Sequence, residues 1–195
     1  TGGGAIVTGL RRFVDAPSPP PTVERCEMCG TELASEHGHV ADVEHRSIMC
    51  ACRPCYLLFT RDDEGKYRAV PDRYVAVPLA ENEWQSLGIP VNIVFFLRGT
   101  EGLNAFYPSP AGATECLLDL DAWASVVSAH PVLATARPEV EAVLVRDGEC
   151  YLVPIDSCYM LVGLVRLYWK GFDGGTEAQE HIAAFFDDLR TKAGA

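Results

Sequence analysis

Five of the eight cysteines lie between Cys26 and Cys55, written Cys26-Glu-Met-Cys29-Gly30 and Cys50-Ala-Cys52-Arg-Pro-Cys55. A two-residue gap lets both thiolates of a pair face one ion. A glycine after the second cysteine permits the turn whose amides donate to the sulfurs. Two such knuckles supply four thiolates from Cys26, Cys29, Cys52 and Cys55, the closed tetrahedral set of structural zinc. The Gly30–Ala51 stretch between them is long enough for a strand pair that folds one knuckle onto the other. Iron competes for the same donors, because a rubredoxin-type site uses two knuckles of the same gap. Its second knuckle usually has proline directly after the first cysteine and glycine after the second. Cys52-Arg-Pro-Cys55-Tyr56 has neither feature, so Zn2+ is favoured over iron.

Three more donors crowd this segment. Cys50 lies two residues before Cys52, and His37 and His39 are written His-Gly-His in the connecting stretch. Either histidine can replace a cysteine in a set of three thiolates and one imidazole. The plainer reading makes both histidines solvated loop residues and Cys50 a small apolar residue on the strand leading in. His45 sits in a polar stretch and reads as surface.

Elsewhere the chemistry is thinner. Cys158 falls at the expected start of a helix, where a thiol becomes more acidic and nucleophilic. Its helpers would be His130 or His181, and the alternative is burial on an apolar helix face. Cys116 and Cys150 lie in strand-like runs and read as core. Tyr107-Pro-Ser-Pro-Ala-Gly-Ala-Thr-Glu115 reads as a stiff loop between strands, with docking as its functional alternative. Ser109 within it lacks the flanking glycines of a nucleophile elbow. The chain contains no phosphate-cradling glycine loop, no His-Glu-x-x-His and no paired-carboxylate motif. Asp187-Asp188 reads as a solvated helix face.

The elements that must carry these groups follow from pattern. Residues 1–22 form an arm and a Pro-rich linker, stiff over residues 16–22. Residues 23–66 form the knuckle module, too poor in large apolar residues to fold without its metal. Residues 67–195 form an α+β domain with enough apolar residues to fold alone. Within it, strands are expected at Arg73–Val77, Val91–Leu97, Asn104–Tyr107 and Glu115–Leu118. A short helix over Asn82–Leu87 closes at Gly88 and Pro90. Asp119 or Asp121 caps a helix that stops at His130-Pro131. Glu141–Val145 and Cys150–Val153 flank Arg-Asp-Gly-Glu, a hairpin signal. Asp156 and Ser157 cap a helix ending near Lys170, and Thr176 with Gln179 forms a capping box for the last helix. There Ile182, Phe185, Phe186 and Leu189 share a face. Strands first and helices last predict an α+β fold: a zinc-ribbon-like module, then a mixed or antiparallel sheet packed with C-terminal helices.

Composition narrows the function classes. The chain has 195 residues, 48% of them hydrophobic, and a net charge of −11. Nucleic-acid affinity comes mainly from cations that neutralise phosphates, and Arg11-Arg12 alone is no footprint. Anionic membranes are disfavoured on the same ground. The longest apolar run, Cys158–Val165, is well short of the roughly 18 to 20 residues that span a bilayer. Without a secretory pattern, metal-bound thiols in the reducing cytoplasm are the expectation.

Several segments are similar to one uncharacterised, mainly actinobacterial, family. They are Glu-Arg-Cys-Glu-Met-Cys-Gly, Glu-His-Gly-His, Cys-Ala-Cys-Arg-Pro-Cys-Tyr-Leu-Leu-Phe, Tyr-Pro-Ser-Pro-Ala-Gly-Ala-Thr-Glu and Val-Pro-Ile-Asp-Ser-Cys-Tyr-Met-Leu-Val-Gly-Leu. The family is encoded beside uptake NiFe hydrogenase genes, and the resemblance covers roughly Gly9 to Leu189. It brings no catalytic residues with it. It implies a cytoplasmic accessory to hydrogenase assembly or electron flow. The expected role is therefore a zinc-bearing adaptor that docks a protein partner, a hydrogenase subunit or maturation factor. The alternatives are an iron electron carrier on the same four thiolates and a thiol enzyme using Cys158.

Overall fold

The computed structural model describes residues 23–61, 65–89, 91–99, 102–117 and 119–194. The arm and Pro-rich linker of residues 1–22, Arg11-Arg12, Pro90 and Leu118 lie outside these residues. The fold is α+β, with antiparallel sheets and packed helices as the sequence predicts.

The first sheet contains β1 (Gly38–Asp42), β2 (Ser47–Ala51) and β3 (Tyr67–Ala69) in the order β2-β1-β3. A one-and-a-half-turn helix, α1 (Arg53–Leu58), begins inside the second knuckle. Sequence pattern misses α1, whose start coincides with the second knuckle. The third strand lies just past the expected edge of the module at residue 66.

The second sheet has the order β4-β9-β8-β5-β6-β7. Its strands are β4 (Val75–Pro78), β5 (Ile93–Gly99), β6 (Gly102–Ser109), β7 (Gly112–Cys116), β8 (Glu141–Arg146) and β9 (Glu149–Pro154). The central strands are apolar on both faces because both faces are covered. Phe95, Leu144, Tyr151 and Val153 pack under α4 (Ile155–Tyr168) and α5 (Gly175–Ala193). Val94, Phe96, Val143 and Leu152 face the other way. They pack against α2 (Glu81–Ser86), α3 (Leu120–Ala129) and the 3-10 turn Pro131–Thr135. Among the described residues no helix is long and apolar enough to cross a membrane.

Local chemistry explains the hits and the misses. Asp147 and Gly148 take φ 48 and 89, the double positive φ of a tight hairpin turn joining β8 and β9. Asp119 caps α3 by accepting from the Asp121 and Ala122 amides at 3.0 Å. Asp156 and Ser157 do not cap α4, which starts after Pro154 with no side-chain cap. The expected Thr176–Gln179 box is also not formed. Gly174 at φ 84 takes the cap two residues ahead of Thr176, and Asp173 accepts from the Gly175 amide at 3.2 Å. The supposed loop Tyr107–Glu115 is a hairpin: Tyr107 pairs with Thr114 and only Pro110-Ala111 turns. Ser109 Oγ holds that turn by donating to Gly112 O at 2.9 Å.

Arg73, expected in a strand, stands just ahead of β4. Its Nε and Nη2 donate to Glu141 Oε1 and Oε2 at 2.7 and 2.8 Å. The Glu141 side chain is fully buried, so this two-pronged contact compensates its charge. The Arg137 amide donates to Oε2 as well, at 2.7 Å. Arg73→Met should therefore lower the free energy of urea unfolding by about 3 kcal/mol, the low end for a broken buried pair. Lys170→Met, which removes the exposed pair with Glu177, should leave the urea midpoint almost unmoved. Equal effects would show that the buried carboxylate is not held by Arg73.

Candidate metal centre

Two turns and a strand pair bring the four knuckle cysteines together. At the first knuckle Gly30 takes φ 76, and its amide donates to Cys26 O at 2.8 Å. The Cys26 amide donates across to Thr31 O at 2.8 Å. At the second, Cys52 sits at the cap of α1 and its carbonyl accepts the Tyr56 amide at 2.9 Å, while proline opens the helix. The knuckles are tied through β2: the Glu27 amide donates to Cys50 O at 3.0 Å, and Glu27 Oε2 accepts the Cys50 amide at 2.6 Å. As a result the Sγ atoms of Cys26, Cys29, Cys52 and Cys55 all lie within 4.8 Å of one another. Cys29 and Cys52 Sγ are 3.6 Å apart, close to the edge of a tetrahedron of roughly 2.3 Å metal–sulfur bonds. A small core of Cys26, Val40 and Ala51 backs the cluster.

The four thiols differ strongly in acidity. The Cys52 amide, hydrogen-bonded to its sulfur, is the chief cause that brings Cys26 down to about 6. The Thr31 hydroxyl, then its amide, lowers Cys29. The hydrogen bond with Cys52, then burial, pushes Cys55 up to about 12. Four thiolates cannot crowd together without a cation, so the first proton leaves easily and the last is retained. This donor set fits a soft or borderline metal.

The other expected donors separate from this cluster. His37, His39 and Cys50 form a second group, each offering one ligand atom within 4.8 Å of the others. None of the three belongs to the four-sulfur group. His39 is not a free loop residue: it lies on β1 opposite Cys50, and its Nδ1 donates to Asp156 Oδ2 at 2.7 Å. A third group, Asp42, Glu44 and His45, already has its cation, because Lys66 Nζ lies 3.5 Å from Asp42 and 3.2 Å from Glu44.

Cys158 does not present a nucleophile. It is 1% exposed, and burial raises its pKa. It lies on the wall of a cavity of about 370 Å³, lined by apolar and charged side chains, whose lining contains no histidine. His130 is bound instead to Glu83, at 3.0 Å, and His181 stacks on Tyr168. Cys150 is buried in the core as expected, and Cys116 is partly buried against it.

Fold and cluster together define an α+β protein with a four-cysteine group able to bind a metal. Residues 25–193 match a family of unknown function (DUF5947), and the chain belongs to that family. No curated protein and no solved structure matches it.

Metal binding must displace the protons that Cys52 and Cys55 retain, since both thiols are raised. Zinc titrated into the metal-free chain near neutral pH should thus release at least about two protons. Calorimetry in buffers of different ionisation enthalpy measures this number. Release of none would show that these thiols are not the ligands.

Proposed function

We propose that the chain is a zinc-bearing adaptor that acts by docking a protein partner in the cytoplasm. The observation that carries this reading is the closed group of four sulfurs. A site of four cysteines offers a metal no open position for water or substrate, so its contribution is rigidity. What it rigidifies is α1, which is capped by Cys52 and holds Cys55. That helix carries Leu57 and Leu58, 48% and 71% exposed, beside the centre. Apolar side chains fixed on a stiff support suit docking, because little conformational entropy is lost on binding. The chain's charge of −11 favours a partner with a basic patch. The resemblance to a hydrogenase-linked family nominates a hydrogenase subunit or maturation factor as that partner.

The test uses the purified holo-protein and a purified hydrogenase subunit or maturation factor. Leu57→Glu with Leu58→Glu should weaken capture at least about tenfold, a loss of roughly 1.4 kcal/mol or more, with metal content unchanged. The holo-protein should be colourless, since Zn2+ is d10. A thiolate-to-metal band in the visible would replace zinc by iron and the adaptor by an electron carrier. Cys158→Ser should leave capture and biological activity intact. Loss of activity with capture retained would put the thiol enzyme in the adaptor's place.

A further inference from the structure

We propose that His37, His39 and Cys50 form a second metal site, separate from the four-cysteine centre, that takes Zn2+ with one coordination position left open. Strand register builds it. Cys50 on β2 is the cross-strand partner of His39 on β1, so their side chains leave the same face of the sheet. His37 is two residues before His39 and shares its side of the extended chain. One nitrogen of each histidine and Cys50 Sγ lie within 4.8 Å of one another, a spacing that small side-chain rotations contract to a coordination sphere.

The tautomers are settled by the partners. His37 Nδ1 lies 3.0 Å from Ala34 O, and His39 Nδ1 lies 2.7 Å from Asp156 Oδ2. A carbonyl and a carboxylate only accept, so both Nδ1 atoms carry the hydrogen. In the neutral ring each Nε2 then offers its lone pair, and at His39, which Asp156 favours in the protonated form, a metal would displace the Nε2 hydrogen. A second group that takes the Nδ1 hydrogen of a histidine, often a carbonyl or carboxylate, is the usual support of a metal-bound imidazole, and here both histidines have one. The independent sign of a ligand is at His37. Its side chain is 10% exposed, and its Nε2 is buried with no hydrogen-bond partner among the described residues. A buried polar atom left unpaired is rare and demands an occupant.

The surroundings agree. Gly38 is fixed as glycine because a Cβ there would stand 2.6 Å from the Tyr56 ring, which packs against the strand start between the two histidines. Tyr56 is itself anchored by its hydroxyl, which donates to Val70 O at 3.1 Å. Glu27 bonds the Cys50 amide, Glu24 lies 3.9 Å from His37, and Asp156 adds a further negative charge, all favourable to a divalent cation. Two imidazoles and a thiolate suit zinc and discriminate against Mg2+ and Ca2+. Three protein ligands leave a fourth position, the arrangement of zinc sites that bind water or an exogenous ligand. His37 and His39 line a cleft of about 790 Å³ between the module and the C-terminal helices, which gives that position access to small molecules.

This inference does not rest on the adaptor reading or on the four-thiolate assignment. Native mass spectrometry and elemental analysis of the full-length protein should find two zinc ions per chain. His37→Ala and His39→Ala should each bring the count to one, and Cys26→Ser should remove the other ion only. Cobalt replacing zinc should give a spectrum that loses its one-thiolate component in His37→Ala and keeps its four-thiolate component. Circular dichroism of His37→Asn, which retains a polar side chain, guards against a folding artefact. One zinc in the wild type that survives His37→Ala overturns the proposal, as does a count of two in every histidine variant. One zinc that survives Cys26→Ser and is lost in His37→Ala supports the second site and defeats the four-thiolate reading instead.

Discussion

The structure depends most on the two-sided burial of β1. Alternation along Gly38–Asp42 sends Val40 into the small core behind the cysteines and Ala41 into the large core beneath α4 and α5. A strand of five residues thereby belongs to both hydrophobic clusters. Its pairing with β2 sets where Cys50 and Cys52 point, and its pairing with β3 joins the knuckles to the chain that follows. A slip of one residue would exchange Val40 and Ala41 and turn every donor on the strand to the opposite face.

The same strand couples the sulfur cluster to the larger domain by a polar route. His39 reaches from β1 to Asp156 in the first turn of α4, and Tyr159 in α4 donates to Arg46 O, in the turn between β1 and β2, at 3.0 Å. Val43 and Ile48 add apolar contact to the large core. The knuckle module is thus seated on α4 through packing and hydrogen bonds together. These contacts reach the knuckles directly, because β2 carries Cys50 and leads into Cys52.

Within the larger domain, the buried carboxylate of Glu141 makes one geometry strongly preferable. It accepts from the Arg73 guanidinium and the Arg137 amide, which fixes the segment before β4 against the start of β8. That constraint explains why Arg73 leaves its expected strand: a salt bridge to a charge with no solvent exposure outweighs one ladder position. The sheet then presents one face to α4 and α5 and the other to α2 and α3, and the knuckle module sits beside the first of these faces.

What the sequence alone determined is what short stretches of chain can decide. The Cys-x-x-Cys gaps, the Asp147-Gly148 turn, the Asp119 cap and the buried runs of β5, β8 and β9 follow from bond geometry and local hydropathy, and so does the α+β class. Local signals failed where a distant group claimed the residue or the backbone chose another start. Asp156 was recruited by His39 and not by its own helix, and Arg73 by Glu141 across 68 positions. Gly174 displaced the cap assigned to Thr176. The separation of His37, His39 and Cys50 from the four knuckle cysteines lay beyond sequence for the same reason. Spacing shows which donors are near one another along the chain, but only the register of β1 against β2 decides which donors share a face, and that register is set by burial on both sides of the strand.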